Sequence, residues 1–522
     1  MAAERDVVVG VDIGTQGTRA ALHALDGALL AEADEASNLI RPGPGMVEED
    51  PERQLGSACR TIRACLEKAA VAPARVAAVA IDGQMAGIIG VGADGRAVTP
   101  YDSWLDTRCA PCIEVMQRRA GRAILERTGN VPSINHGPKI LWWSSERPEV
   151  YARVASFVQP GGYAAMRLCG LSGREAFVDD TYLHFSGFAR NAERRWDAEL
   201  CAEFEVDPAR LPRIASPLEV VGRVCAESAQ VSGLLTGTPV AAGLGDTAAS
   251  FLSCGAVEPG ICVDVAGTAS VFAATVPGFA ADVASGVLGC GRSAVPGLWH
   301  PYAYISGGGL NLNWFVEQIA AGGGAGGSTR SLAEAVARLD AELAGLEPRL
   351  DDPFFIPHME GRVMPSAPHM RGAWFGMTRS HGLPRLYRSL LEGVALEYAL
   401  YRDAVLALHP GLKLTELRAT GGGSRDAAWN GLKAEVLDMP LLAVQRGGGA
   451  PMGAALVAAA AVGAVPDLAS SARAWVKLGP PVRPTGQHRA LYRARVGRYG
   501  TLLAALAAVS RAPDPSPEER HP

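Results

Sequence analysis

Residues 10–20, GVDIGTQGTRA, set a carboxylate, hydroxyl side chains and glycines between apolar runs, a combination suited to holding phosphate together with a cation. Apolar runs on both sides, the β-forming Val7-Val8-Val9 before and residues 20–24 after, predict a strand, a tight turn and a returning strand. Gly14 and Gly17 let the backbone approach an anion, and Thr15 and Thr18 add hydroxyl donors. Asp12 puts a carboxylate where a phosphate-bound divalent cation can be held directly or through water. A reduced copy, ICVDVAGTASVFAAT, occupies residues 261–275, with Gly267-Thr268 again at the turn between β-rich runs. Two such turns, one near the start of each half, predict a duplicated fold closing on one nucleotide.

A second chemistry-bearing stretch is VAAGLGDTAAS at 240–250, where an apolar strand runs through Gly243 and Gly245 into Asp246 and an Ala-rich helix start. An Asp in that place is often only a helix N-cap. Flanking glycines also clear room for a substrate, however, and a carboxylate there can accept a hydroxyl proton. Its place just ahead of the second hairpin favours the catalytic role. SWLDTR at 103–108 puts Trp104 beside Asp106 and Arg108 in a strand-to-helix connection. Core packing is the commoner fate of a Trp, but an aromatic with acids and a base in a loop also holds sugars. LRATGGGSRDAAWN at 417–430 predicts a strand, a glycine turn and a helix start, where backbone can pass flat against a purine or ribose.

These groups need elements to place them. Asp26-Gly27 turns the first hairpin into a third strand over 28–33, and a helix is predicted over 51–70, with Asp50 as its cap and Pro51 at its first position. Residues 76–81 predict a short buried strand ending in DGQMAG. Meander, helix and further strand are how each half of an actin-like, ribonuclease H-like fold begins, with loops at the strand ends facing a cleft. Helices are also expected from Gly137 to Pro148, from residue 306 onward and over 383–408. AGGGAGGS at 321–328 is expected to be a flexible loop, and 512–522, Pro-rich and charged, a disordered tail.

With 522 residues, 48% of them hydrophobic, the chain can fill more than one core, so two large domains are expected. A formal charge of -5 gives no general pull toward nucleic acid or an anionic membrane. The cysteines are scattered singly except Cys109-Ala-Pro-Cys112, which lacks both a thioredoxin-like context and further zinc ligands, and predict reduced thiols. The first residues lack the basic start and apolar core of a secretory signal, and 452–465 is too short to span a bilayer, so a soluble, cytoplasmic protein is expected. No GxxxxGK[ST] occurs, which excludes a P-loop kinase.

Taken in order, GVDIGTQGT (10–18), DGQMAG (82–87), SWLDTR (103–108), GPKILWW (137–143), GLGDTAAS (243–250), VAGTASV (265–271), GAWFGMT (372–378), LYRSLLEG (386–393) and TGGGSRDAAWN (420–430) resemble the FGGY carbohydrate kinases, and within them the xylulokinase-like pentulose kinases. The resemblance implies an α/β chain of two ribonuclease H-like, actin-like ATPase domains, 1–247 and 248–511, with the active site in the cleft between them. It also implies ATP and Mg2+ as cofactors and phosphorylation of a small sugar. Carried over by motif, Asp12 would hold the magnesium, Thr15, Gln16 and Gly17 the first phosphate turn, and Gly267 and Thr268 the second. Gly309, Asn313, Gly422 and Asp426 would lie beside the nucleotide. Gln84, Met85, Trp104 and Asp106 would line the sugar pocket, and Asp246 would be the general base.

Three positions depart from the pattern: Ala86 where xylulokinases usually have His, Thr247 where they have Asn, and His136 in place of a small hydroxyl residue. Neither nucleic acid nor membrane is an expected partner, and a homodimer is carried as an open expectation. Kinases of other sugars or polyols in the same family are carried as an alternative. So is an actin- or Hsp70-like ATPase acting on a protein partner, which shares the hairpins but has no need of Gln84, Trp104 and Asp246 around a small pocket.

Overall fold

The computed structural model describes residues 5–320, 332–445 and 449–510; the loop expected at 321–328 and the tail expected at 512–522 lie outside the described residues. Strand β1 (Val7–Ile13) pairs antiparallel with β2 (Gly17–Ala24), which pairs with β3 (Leu29–Ala36), giving the predicted meander. Helix α1 (Pro51–Lys68) follows, with the Asp50 side chain accepting from the Glu52 N–H and Pro51 where its missing N–H costs nothing. Strand β4 (Val76–Gly83) then lies parallel to β1. Strands β5 (Val220–Arg223), β6 (Pro239–Ala241) and the two-residue β7 (Leu244–Gly245) complete a sheet of order β5-β6-β4-β1-β2-β3, with β7 also paired to β4.

Strand alternation decides what each face of this sheet does. Val7, Val9, Val11 and Ile13 pack with Ala58 and Ile62 of α1 and with Ala164, Ala165 and Leu168 of the helix Pro160–Cys169. Each of these buried valines contributes roughly 1.5–3 kcal/mol. Val8, Ala78 and Ala80 face the other way, against α2 (Asp246–Ser253) and a helix from the far end of the chain, Ala450–Ala461. That helix is built almost wholly of small residues, which lets it lie directly on β1. A Cβ at Gly10 would sit 1.9 Å from the Pro451 carbonyl oxygen. By the same alternation Asp12 and Asp82 project on this second face, toward α2.

The second half repeats the plan. Strands β8 (Ile261–Ala266) and β9 (Ser270–Ala274) form the second hairpin, followed by β10 (Gly289–Arg292), β11 (Trp299–Ile305), β12 (Glu416–Thr420) and β13 (Leu441–Ala443), in the order β10-β11-β9-β8-β12-β13. β8, β12 and β13 are parallel, as β1 and β4 are in the first half. Helix α3 (Leu383–Leu408), with the bounds expected from sequence, packs on this sheet with α4 (Ala427–Leu437). Aligning the two glycine-threonine turns puts Val265 where the first half has Asp12. The neighbouring Asp264 points into the core instead, where the Lys433 ammonium lies 2.5 Å away and Tyr398 Oη donates to it. The repeat keeps the turn and loses the cleft carboxylate. These are the two ribonuclease H-like, actin-like α/β domains that the motifs imply. Among the described residues no helix is long and apolar enough to cross a membrane.

Candidate active site

β1, β4 and β7 run parallel and end side by side. Asp82 is the register partner of Asp12 on one side and of Leu244 on the other, and Asp246 follows two residues later as the first residue of α2. Three carboxylates therefore meet at adjacent strand ends. The Tyr182 hydroxyl donates to the carbonyl of Gly83 at 2.9 Å, and the Thr181 hydroxyl receives the Gly245 N–H at 2.9 Å, which fixes the ends of β4 and β7. Burial, reinforced by the charge of Asp12, pushes the Asp246 carboxyl up to about 7, while Thr247 Oγ1, donating to Asp246 Oδ1 at 3.1 Å, opposes the shift. Burial also raises Asp12. Asp82 is driven well above the carboxylate range by burial, then by the charge of Asp12 and a hydrogen bond shared with it, and then by the charges of Asp246 and Asp179.

The glycines expected to clear substrate space before Asp246 serve the protein itself. A Cβ on Gly243, whose φ is +79, would meet the Ile81 carbonyl oxygen at 2.0 Å, and one on Gly245 would meet Met85 Cε at 2.5 Å. Met85 thus packs directly on the residue preceding Asp246.

The first turn is braced from below. Thr15 Oγ1 donates to Gln84 Oε1 at 3.3 Å and accepts from Trp104 Nε1 at 2.8 Å, so this hydroxyl is turned onto the protein rather than outward as sequence predicted. Gln84 Nε2 in turn donates to Glu49 Oε1 at 3.1 Å, and Tyr101 Oη donates to Gln84 Oε1 at 3.4 Å. The buried Gln84 amide is therefore taken up by hairpin and core, and Glu49, which no sequence motif marked, is its anchor. The Thr15 and Gln16 N–H groups have no partner among the described residues. Gln16 is exposed, and Gly17 is needed because a Cβ there would lie 2.4 Å from the Glu35 carbonyl oxygen.

Asp106 is a correction. Its carboxylate is fully buried, accepts the Val47 N–H at 2.7 Å and is forked by Arg108, which also pairs with Glu48. The acid beside the Trp builds the loop and has no free oxygen for a sugar. Trp104 itself is 43% exposed and reaches over the first Gly-Thr turn to Thr15.

In the second half the Gly309 N–H donates to the Gly267 carbonyl at 3.1 Å, seating the short helix Gly308–Trp314 on the turn, while the N–H of Thr268 has no partner among the described residues. Asn313 stands exposed on that helix; Asn311, not singled out from sequence, is the buried one, its amide donating to the Pro357 carbonyl. A Cβ at Gly422 would meet open space, as an adenosine platform requires. Asp426 caps α4 by accepting the Trp429 N–H at 2.9 Å, and its Oδ2 is buried without a partner.

Two of the three departing positions lie around Met85 and Asp246: His136 contacts Met85, and Thr247 follows Asp246. His136 Nε2 bonds the Met85 carbonyl at 2.6 Å, just before Ala86, and burial holds this imidazole down to about 4. A cavity of ≈ 10 Å³, room for a single water, lies between Met85, His184, Thr247, Arg292 and His300.

A divalent cation fits beside Asp12. Asp12 Oδ1 and both Asp82 carboxylate oxygens are buried with no donor group among the described residues reaching them, and hard oxygen ligands are what magnesium takes. Among the described residues no three His, Cys, Asp or Glu side chains form a metal cage, so phosphate and water would complete the coordination.

Residues 7–253 match the N-terminal domain of the FGGY family of carbohydrate kinases, and residues 260–462 match its C-terminal domain. The xylulose kinase of Streptomyces coelicolor (strain ATCC BAA-471 / A3(2) / M145) is 30% identical over 491 residues, 92% of this chain and 93% of that protein. The xylulose kinase of Escherichia coli (strain K12) is 27% identical, over 82% of this chain and 84% of its own. The crystal structure of xylulose kinase from Rhodospirillum rubrum is similar at a TM-score of 0.88 and 28% identity, covering 97% of this chain and 100% of that one. With both domains matched in order over the sheets and strand ends just described, the chain belongs to the FGGY family of carbohydrate kinases.

Proposed function

We propose that this carbohydrate kinase phosphorylates a terminal hydroxyl of a ketopentose of the xylulose kind, with Asp246 as general base and Asp12 holding the magnesium of the nucleotide. Sugar kinases of the family use ATP. Relatives named xylulose kinase support the sugar class. The observation that carries the mechanism is the meeting of Asp12 and Asp246 at adjacent parallel strand ends, with the Asp246 carboxyl raised to about 7. A base titrating near neutrality is matched to accepting a hydroxyl proton.

Phosphoryl transfer depends on positioning and charge neutralisation more than on covalent chemistry. An Asp246 oxygen takes the proton as the sugar oxygen bonds the γ-phosphorus and the bridging oxygen leaves with ADP. The Thr247 hydroxyl holds Oδ1, so Oδ2 is the oxygen left to receive the proton. The free N–H groups of Thr15, Gln16 and Thr268 supply donors to phosphate oxygens from the two halves. Bound magnesium supplies positive charge across the phosphates. Closure of the halves on the nucleotide excludes water, the competing acceptor.

Thr247 and Met85, the neighbour of Ala86, line the small cavity beside Asp246, and with Ala86 and Thr247 both departing from the xylulokinase pattern we take the preferred pentulose to differ from D-xylulose in stereochemistry or substitution. We place the junction of the halves at residue 247, at the start of the helix that Asp246 opens; the two family matches leave 254–259 between them, at the far end of that same helix. ATP and the ten free cysteines favour the cytoplasm as the compartment. A coupled ADP-release assay over ketopentoses, ketohexoses, polyols and glycerol tests the function. Sugar-dependent turnover highest on a ketopentose is expected. ATP hydrolysis indifferent to every sugar would instead support the actin- or Hsp70-like ATPase.

A further inference from the structure

We infer that Asp82 is a second carboxylate ligand for the divalent cation held by Asp12. The inference rests on the kinase reading of Asp12 and extends it to a residue that no sequence motif marked as a ligand.

Asp82 and Asp12 are direct register partners on parallel β4 and β1, so their side chains leave the sheet on the same face, about one strand spacing of ~4.8 Å apart. Ala78 and Ala80, two and four residues earlier, pack on that face against the helices carrying Asp246 and Met452, which fixes the direction in which Asp82 points. Asp82 is wholly buried, no donor group among the described residues reaches either of its oxygens, and the one polar side chain close enough to share a proton with it is the Asp12 carboxyl. The nearby donors are already committed: the Thr181 hydroxyl donates to Asp179, and the Tyr182 hydroxyl donates to the Gly83 and Leu244 carbonyls. Its charged neighbours are acids, namely Asp12, Asp246 and Asp179.

An acid so placed either keeps its proton or needs positive charge brought to it. A divalent cation with oxygen ligands meets that need, and one seated between Asp12 and Asp82 lies at the strand ends where the first phosphate turn opens. The competing role for Asp82 is a protonated acid that only donates a hydrogen bond to Asp12. Asparagine imitates that donor while removing the charge, so Asp82→Asn separates the two.

The experiment is Mn2+ binding to the full-length protein with ADP present, followed by electron paramagnetic resonance, with ADP affinity measured separately without metal. The wild type is expected to bind Mn2+ with ADP. Asp82→Asn and Asp12→Asn are each expected to weaken Mn2+ by about tenfold or more while metal-free ADP affinity is unchanged. Mn2+ should raise the melting temperature of the wild type and leave that of Asp82→Asn nearly unmoved, a readout independent of turnover. Wild-type Mn2+ affinity in Asp82→Asn, with Asp12→Asn impaired, overturns the Asp82 assignment alone. Absence of Mn2+ binding by the wild type overturns the kinase reading of Asp12 as well.

Discussion

Gly10 on the first strand lies so close beneath Pro451 that a Cβ would come within 1.9 Å of the Pro451 carbonyl oxygen and 2.6 Å of the Ala455 nitrogen. Backbone on both sides leaves nothing that can give way. This contact joins the strand bearing Asp12 to a helix more than four hundred residues later, so the two ends of the chain are packed backbone to backbone beside the strand ends. Gly10→Ala is expected to cost about 3 kcal/mol, as overpacking does, and to lower activity beyond the loss of folded protein. Urea unfolding of both proteins checks the first part, and a Gly10→Ala variant as stable as wild type would contradict it.

Asp246 also makes stability depend on pH. Its carboxyl is raised from 3.8 to about 7 in the folded chain, so between those values the native state binds the extra proton and stability falls as pH rises. Asp246→Asn removes the penalty. Melting temperatures of the variant and wild type should nearly coincide near pH 4, and the variant should lead by about 2 °C or more at pH 8. A gap that is constant with pH would show that Asp246 is not raised.

The fully buried Asp106 is expected to act on folding rather than on the sugar. Asp106→Asn weakens the fork to Arg108, which keeps Glu48, so a loss of about 3 kcal/mol is expected, at the low end for broken buried pairs. Sugar KM, measured where the variant is folded, should change little. A stable variant with a raised sugar KM would return Asp106 to the pocket lining.

Much of this was legible from sequence where local chemistry and topology agree. The Gly-Thr turns, the Asp50 cap and the helix from Leu383 to Leu408 each depend on neighbours in the chain, and the structure has them as expected. What was not legible depends on partners far away in sequence. Thr15 turns inward because Gln84, 69 residues later, waits for it, and Gln84 is anchored by Glu49. Asp106 lost its candidacy to a backbone N–H at Val47 and to Arg108. Asp82 stood inside a quoted motif, yet only strand register shows that it faces Asp12. The alternation of Val8, Gly10 and Asp12 on one face was available from the start, and it is the signal that could have found it.

Ala86 bears on which pentulose is used. A histidine there could hydrogen-bond a sugar hydroxyl, and a site built on such a bond discriminates strongly against sugars that leave it unpaired. Alanine removes that demand, while His136 is spent on the Met85 carbonyl. Values of kcat/KM for D-xylulose, L-xylulose, D-ribulose and L-ribulose are expected to rank D-xylulose below another pentulose in the wild type, and Ala86→His should raise it. D-xylulose as the best wild-type substrate, with the histidine variant no better on it, would contradict this.

The most direct test of the kinase mechanism is steady-state turnover of Asp246→Asn against wild type on the best ketopentose, with ATP affinity measured in parallel. The side chain keeps its shape and its place beside Thr247 and loses only its basicity. Turnover should fall by about two orders of magnitude or more, with ATP affinity nearly unchanged. Near-normal turnover in the variant would remove Asp246 from the role of base and with it the central step.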